Sequence, residues 1–463
     1  MCRKTNACNK QADRDDILIF FAGSSGIFQD MNREILRLTV PNIVTNLTVP
    51  LLGMADVAVA GRSGGAGYIG AIAVGTAVFN AIYWNFGFLR MGTSGFAAQA
   101  YGARDSDETV SVMIRALSVS LVLGVLILLL QTPLAAVSFR VFGGGETGAL
   151  AHDYFRVRVW SAPATLALYV FKGWFIGMQD TRTPMWVSIG GNAVNIALSV
   201  LFVFPLGMGM AGVALGTTLS EYMSLAAFVW VWLRRYGTAW RSLGMREVFG
   251  VRKILVFFAV NGDIFLRTLC LTAVTTFFVY ASAWQGDEVL AANTLLMQMF
   301  TLFSYFMDGF AYTAEALTGR FIGEDNIREL VRYIKRILLW GSALALFFFL
   351  VYGAALRPLL AVFTDEDNIV ELALRSRVWI MAVPLAGFLA FLYDGILVGA
   401  TYSGLMRNVM AVSTALFFGL YYLLEPLSGG SALWVAFVSY LLSRGVLQMW
   451  FSWRALRRTS RLA

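Results

Sequence analysis

The chain has 463 residues, of which 58% are hydrophobic and only 14% are charged, and its mean hydropathy is +0.68. This composition leaves too little polar side-chain surface to cover a water-soluble core, so it excludes a soluble globular protein and indicates an integral membrane protein. The net charge is +8, but Arg and Lys lie in short stretches between apolar runs instead of forming one basic face, which argues against a nucleic-acid partner.

Residues 1–30 precede the first long apolar run. Their own apolar stretch is short and follows acidic residues, so it is a poor match to a signal peptide. Met31 opens "MNREILRL", which reads as a natural start, and we expect residues 1–30 to be a flexible tail or a mis-assigned extension. The three cysteines are too few and too scattered for a disulfide framework or a metal cage.

Twelve apolar runs, bounded by charges or by Gly and Pro clusters, are each long enough to cross a membrane as a helix. The first six lie near 35–60, 69–99, 111–138, 153–178, 184–205 and 208–233, and the second six near 252–283, 287–319, 330–355, 369–399, 406–425 and 431–453. We therefore predict an all-α membrane protein of twelve helices. Its expected parts are an N-lobe at 31–233, a cytoplasmic linker at 234–251, and a C-lobe at 252–463 that ends in basic residues.

The two halves repeat one another at an offset of about 220 residues. "YFRVRVWSAP" in the fourth span echoes "ALRSRVWIMAVP" in the tenth, and "YIGAIAVGT" in the second echoes "VLAANTL" in the eighth. Six spans per copy relate the lobes by a pseudo-two-fold axis along the membrane normal, an arrangement typical of secondary transporters. Most basic loop residues lie on one side, which predicts that both termini are cytoplasmic.

Motifs for common membrane enzymes and pumps are missing from the sequence. It has no G-x-x-x-x-G-K-[ST] and no H-E-x-x-H, and its one histidine, His152, falls near the outer end of a span. We therefore expect no enzyme activity, no metal and no cofactor, with an ion gradient as the energy source.

Several motifs together resemble the multidrug and toxic compound extrusion (MATE) family, most closely its DinF-like branch. They are "TVPNIVTNLTVPLLGMADVAVAG", "GTSGFAAQAYGARD", "GMQDTRTPM", "NGDIFLRTL" and "MDGFAYTAEALTGRFIGED". The resemblance implies a bacterial inner-membrane antiporter with two six-helix lobes around a central cavity. Its implied partners are membrane lipids and small organic cations or amphiphiles, exported in exchange for protons or, alternatively, sodium. We expect a monomer.

Asp56 matches the family's first-helix acid, which implies a role in taking up the coupling cation. An ionised Asp at the bilayer centre costs about 2.5–3.5 kcal/mol on insertion scales, a cost that uptake of a proton removes. Pro41 matches the family's first-helix proline, and Pro50 is a second proline in the same span. Both remove backbone donors and favour a bend. The sequence does not distinguish between a permanent kink in the first helix and a bend that changes when Asp56 binds a proton.

The fifth span departs from the family pattern N-x-x-N-x-x-x-D. It carries Asn192, Asn195 and then Ser199, which lie on one helix face and are expected to point at Asp56 or to bond between helices. Asp56 is therefore predicted to be the one coupling acid of the N-lobe. Lys172, the single lysine within a first-half span, is expected to pair with an acid, to line the cavity or to reach toward the interface.

The C-lobe offers four candidate ion or substrate acids, which are Asp263, Asp308, Glu315 and Asp394. Asp263 and Arg267 have i, i+4 spacing, which predicts a pair on one helix. For Asp308, Glu315 and Asp394 the alternative is a structural role, in which the carboxylate bonds to polar groups on neighbouring helices. Arg156, Arg158, Arg375 and Arg377 are expected to contact lipid headgroups near the outer surface.

Tyr83, Trp84 and Phe88 are the aromatic residues that we expect to line a cavity, where flat cations bind by stacking and cation-π contact. The alternative transporter is a lipid-linked oligosaccharide flippase of the same superfamily. Such a protein is expected to have a cationic cavity, whereas our reading of the predicted spans has more acids than bases in them, so we favour cationic substrates.

Overall fold

The computed structural model describes residues 5–142, 145–237, 248–428 and 430–459, and every regular element within them is helical. Helices are expected because lipid offers no hydrogen-bond partners, so a long apolar segment must satisfy its backbone groups internally. The helices group into twelve units, named α1–α12, that correspond to the twelve predicted spans. The all-α prediction is thus confirmed.

The first six units begin with one long helical run, Thr5–Tyr83, that changes direction at Gly65, where φ is 69°. Glycine tolerates this left-handed conformation because it has no Cβ. The bounds are α1 Asp30–Arg62, α2 Gly67–Gly102, α3 Ser106–Leu129, α4 Gly145–Arg158 continuing through the 3-10 turn Val159–Ser161 into Ala162–Gly177, α5 Arg182–Val203, and α6 Gly209–Tyr236. A short helix, Gln131–Phe142, follows α3.

The second six units are α7 Val251–Trp284, α8 Asp287–Gly323, α9 Ile327–Ala361, α10 Asp367–Arg375 and Arg377–Gly399, α11 Ser403–Ser428, and α12 Gly430–Thr459. Ten helices among the described residues are individually long and apolar enough to cross a membrane. The other two units are α4, which is divided, and α6, which carries Glu221 near its middle. Most of the predicted linker (238–247) and residues 1–4 of the predicted tail lie outside the described residues.

The internal repeat is visible in the backbone. Among the described residues, four that are not glycine have positive φ: Arg104 after α2, Gln179 after α4, Asp325 after α8 and Thr401 after α10. The first and third are one repeat of about 220 residues apart, as are the second and fourth. Helix starts match too, since Asp105 accepts from the Glu108 amide at 2.8 Å and Asn326 from the Glu329 amide at 3.1 Å.

Each half of the chain has its own apolar core, and α1 contributes to both. Residues of α2–α6 and the end of α1, such as Val59, form one core, whereas Ile35 and Leu38 near the start of α1 pack within the core of α7–α12. Thr39 shares a hydrogen bond of 2.9 Å with Thr313 of α8. The first helix therefore connects the two halves along its length.

At the side predicted to be cytoplasmic, α2 meets α8 and α10 at very short range. A Cβ at Gly102 would lie 2.1 Å from the Arg320 carbonyl oxygen, so only glycine permits this approach. Arg320 also forms an ion pair of 2.8 Å with Glu34 of α1 and donates to Gln179 at 3.3 Å. These contacts hold the two halves together at this side, around a cavity of about 450 Å³.

Candidate functional site

Asp56 lies in the second half of α1 and is half-buried. Its Oδ1 atom is buried and makes no hydrogen bond within the part of the chain that the structure describes. The carboxylate interacts electrostatically with Arg158 of α4. A buried carboxylate oxygen without a donor carries an unfavourable solvation energy, which a bound proton relieves.

Arg158 is held by α6 and by its own helix. It forms an ion pair of 2.7 Å with Glu221 and donates to the Ser161 hydroxyl at 2.6 Å, and Thr165 donates to Glu221. The Arg158 side chain is 12% exposed and the Glu221 side chain 18%, so the expected headgroup contact of Arg158 is wrong. The 3-10 turn that follows Arg158 divides α4 at this point. Arg156, by contrast, is exposed as expected.

Lys172 completes a group that we call the N-lobe cluster, which consists of Asp56, Arg158, Lys172 and Glu221. Lys172 interacts electrostatically with Glu221 and with Arg90, and the predicted pairing of Lys172 with an acid stays a prediction. Sequence reasoning missed Glu221, although a lone acid in an apolar run was the same signal that identified Asp56. The N-lobe thus has a second acid, the half-buried Glu221, in the same cluster. That Asp56 is the one coupling acid of this lobe stays a prediction.

The polar face of α5 contacts the α1 backbone. Asn192 donates to the Thr48 carbonyl at 3.1 Å, and Ser199 donates to the Asn195 side-chain oxygen at 3.3 Å. Within the described part of the chain, neither of these hydrogen bonds reaches Asp56. The arrangement corresponds to bonding between helices, and it places α5 against the segment of α1 that precedes Pro50.

Both prolines lie within a helical stretch of α1. The change of direction in this run is at Gly65, and residues around Pro41 and Pro50 keep helical geometry. Thr45 donates to the Pro41 carbonyl at 2.8 Å, and Thr48 donates to the Thr45 carbonyl at 2.7 Å. Such back-bonding satisfies carbonyls near a proline while the helix continues through it.

Asp394 of α10 anchors the charged network of the second half. Arg267 of α7 and Arg444 of α12 both donate to its Oδ2 atom, and Gln448 donates to Oδ1 at 2.7 Å. The predicted Asp263–Arg267 pair is wrong. Asp263 instead pairs with Arg407 of α11 at 2.5 Å, because the spacing of two residues along one helix does not determine which neighbouring helix faces them.

Glu315 of α8 joins the two halves through Arg90 of α2. The pair is 3.2 Å apart, Glu315 is 1% exposed, and the Arg90 guanidinium stacks 4.0 Å above the Tyr312 ring. Asp308 interacts electrostatically with Arg90 and Arg267. Arg90 and Arg444 are two further residues that sequence reasoning missed.

We call this second group the interlobe cluster; its members are Arg90, Arg267, Asp308, Glu315, Asp394 and Arg444. It holds three acids and three bases, and the N-lobe cluster holds two of each. Each cluster therefore has as many acids as bases, and neither has an excess of acids. No group of His, Cys, Asp and Glu residues suited to holding a metal occurs among the described residues.

The three aromatic candidates have different surroundings. Tyr83 is 5% exposed and stacks on Phe79 at 5.5 Å beside the N-lobe cluster, and Trp84 is 61% exposed. Phe88 makes an edge contact with Phe265 of α7 at 6.1 Å, so it lies between the two halves. Tyr83 thus lies next to polar groups and Phe88 next to another aromatic ring, whereas Trp84 faces outward.

Comparisons with known proteins agree with this architecture. A family model described as MatE matches residues 41–201 and 264–423, one block in each half. The chain is 35% identical to the DNA damage-inducible protein F of Escherichia coli K12, with 90% of each chain covered. It is 26% identical to the probable multidrug resistance protein NorM of Thermotoga maritima, covering 74% of this chain and 75% of that one.

Solved structures of the same fold exist in more than one state. An outward-facing multidrug resistance MATE family transporter matches with a TM-score of 0.80 at 23% identity, covering 92% of this chain and 96% of that chain. A MATE structure in the bent conformation matches with a TM-score of 0.82 at 23% identity, covering 93% and 97%. Since the family model covers both halves and one relative is similar over almost the whole length, the chain belongs to the MatE family of multi-pass membrane transporters.

Proposed function

We propose that the protein exports organic cations or amphiphilic compounds across the bacterial inner membrane in exchange for protons, with Asp56 as the proton site. Transport would proceed by alternating access between the two halves, with both termini in the cytoplasm. The observation that carries the proposal is the buried Asp56 oxygen without a hydrogen-bond donor, next to Arg158. The names of the relatives, which include a multidrug export protein of Staphylococcus saprophyticus at 21% identity, support efflux of small molecules.

Electrostatics give a reason for exchange. With Asp56 ionised, the N-lobe cluster has two negative and two positive groups, and a proton on Asp56 adds one positive charge. A cationic substrate near the cluster is therefore repelled more strongly after protonation. Binding of a proton to Asp56 therefore weakens binding of the cationic substrate, and release of the substrate strengthens binding of the proton.

Sodium coupling has weaker support in the charge arrangement. A hard cation needs several free oxygen ligands, but Asp394 is bonded to two arginines and Glu315 to a third. The flippase alternative needs a cationic cavity, and the two clusters have equal numbers of acids and bases. Proton exchange at Asp56 is the function that we favour.

Dye export from proteoliposomes under imposed gradients tests the proposal. We expect a pH gradient to drive export of ethidium without sodium, and Asp56→Asn to abolish this export while the protein still inserts and remains monodisperse. Asp153→Asn is the matched control, because Asp153 is an exposed acid of α4, and its activity should equal that of the wild type. Sodium-dependent export that ignores a pH gradient, or full export by Asp56→Asn, contradicts the proposal.

A further inference from the structure

Glu221 is a half-buried acid that the proton step at Asp56 does not use directly. It lies near the middle of α6, and it accepts hydrogen bonds from Arg158 at 2.7 Å and from Thr165. Where the family pattern has an acid on the fifth helix, this chain has Ser199, whose hydroxyl bonds to Asn195 at 3.3 Å. The N-lobe nevertheless keeps a second carboxylate, contributed by a different helix.

Arg158 interacts with both carboxylates. It forms an ion pair with Glu221 and interacts electrostatically with Asp56. The attraction between Arg158 and Asp56 depends on the charge of Glu221, because Glu221 competes for the same guanidinium group. We propose that Glu221 is a positioning residue for proton coupling, which holds Arg158 and sets the pH at which Asp56 binds its proton. This inference rests on the proposed proton role of Asp56.

The groups around Glu221 come from several packed helices. Helix α4 contributes Arg158, Tyr154, Tyr169 and Lys172, α2 contributes Tyr83, and Tyr222 is the neighbour on α6. Helix α1 contributes Asp56, through Arg158. The one titratable side chain of α5 is Arg182, which is exposed at the first residue of that helix.

The sign of the effect follows from these charges. An ionised Glu221 draws Arg158 toward itself, which weakens the attraction of Arg158 for the Asp56 carboxylate and so favours the protonated form of Asp56. In Glu221→Gln one negative charge is lost and Arg158 is free to pair with Asp56. Asp56 should then keep its charge to lower pH.

Infrared difference spectroscopy during a pH titration measures this directly on the purified full chain, without a substrate. The carboxylic-acid C=O band that disappears in Asp56→Asn reports protonation of Asp56. We expect its titration midpoint to move down by about one pH unit, a tenfold change in proton affinity, in Glu221→Gln. Glu425→Gln, at an exposed Glu of α11, should leave the midpoint unchanged.

Glu221→Asp keeps the charge on a shorter side chain and should shift the midpoint in the same direction by a smaller amount. If Glu221→Gln does not fold, the titration of Glu221→Asp tests the inference instead. The inference is overturned if the variant that folds has the same Asp56 titration midpoint as the wild type, or a midpoint at higher pH. If Asp56→Asn removes no titrating band, the proposed role of Asp56 fails instead, so the two failures are distinguishable.

Discussion

Replacing Asp394 by Asn is expected to destabilise the protein by about 3–5 kcal/mol. The side chain is 7% exposed, and Arg267, Arg444 and Gln448 donate to its two oxygens. An Asn side chain has the same shape, but it is uncharged and turns one acceptor into a donor. The new side-chain NH2 group then faces N–H groups of Arg267, Arg444 or Gln448, which are themselves donors and lose an acceptor.

The magnitude follows from how well the arginines are buried. The side chains of Arg267 and Arg444 are 11% and 3% exposed, so neither regains full hydration when the carboxylate is lost. Removing one partner of a buried ion pair costs about 3–5 kcal/mol because the remaining charge is uncompensated. Hydrogen bonds to a charged group are worth about 1.5–3 kcal/mol each, but this energy overlaps with the ion-pair term and is not added to it.

Equilibrium unfolding in mixed detergent micelles measures the change in the free energy of unfolding. The control is Asp263→Asn, whose partner Arg407 is 40% exposed, so about 1 kcal/mol or less is expected. Replacing the charged triad together, with Asp394→Leu, Arg267→Met and Arg444→Met, should recover most of the stability, since no buried charge is then left unpaired. If Asp394→Asn costs no more than Asp263→Asn, the carboxylate is not the counter-charge of the two arginines.

Two further stability predictions follow from the contact between the halves. Gly102→Ala places a Cβ 2.1 Å from a carbonyl oxygen of α8 and should cost about 1–3 kcal/mol in the same unfolding assay, whereas Gly190→Ala, with open space around it, should be neutral or stabilising by up to about 1 kcal/mol. Equal effects of the two substitutions would argue against close packing of α2 on α8. Arg90→Leu leaves Glu315 buried and unpaired and should cost about 3–5 kcal/mol, and adding Glu315→Gln should recover part of the loss. A double variant no more stable than Arg90→Leu alone would show that the charge of Glu315 is not the cause.

Local features of the chain predicted the helices and the duplication well. Length and hydropathy are sufficient to identify a membrane-crossing helix, because the lipid requires each one to satisfy its own backbone. The echoes between "YFRVRVWSAP" and "ALRSRVWIMAVP" predicted the repeat that reappears as paired positive-φ residues such as Gln179 and Thr401. These signals need no knowledge of how helices pack.

Charge partners could not be predicted in the same way. Spacing along α7 allowed Asp263 and Arg267 to meet, yet each pairs with a residue on another helix. Arg158 lies near a span end in sequence, but the break in α4 and the position of α6 bring it against Glu221. Interhelical pairs depend on helix rotation and crossing, which a hydropathy pattern does not contain.

The sequence by itself determined that this chain is a duplicated membrane transporter and that Asp56 is an unusual acid in an apolar helix, because both conclusions depend on composition, periodicity and local motifs. Only the tertiary structure decided which charges meet. It placed Glu221 against Arg158, which also interacts with Asp56, because a charge buried away from water is stable only where packing brings a counter-charge to it.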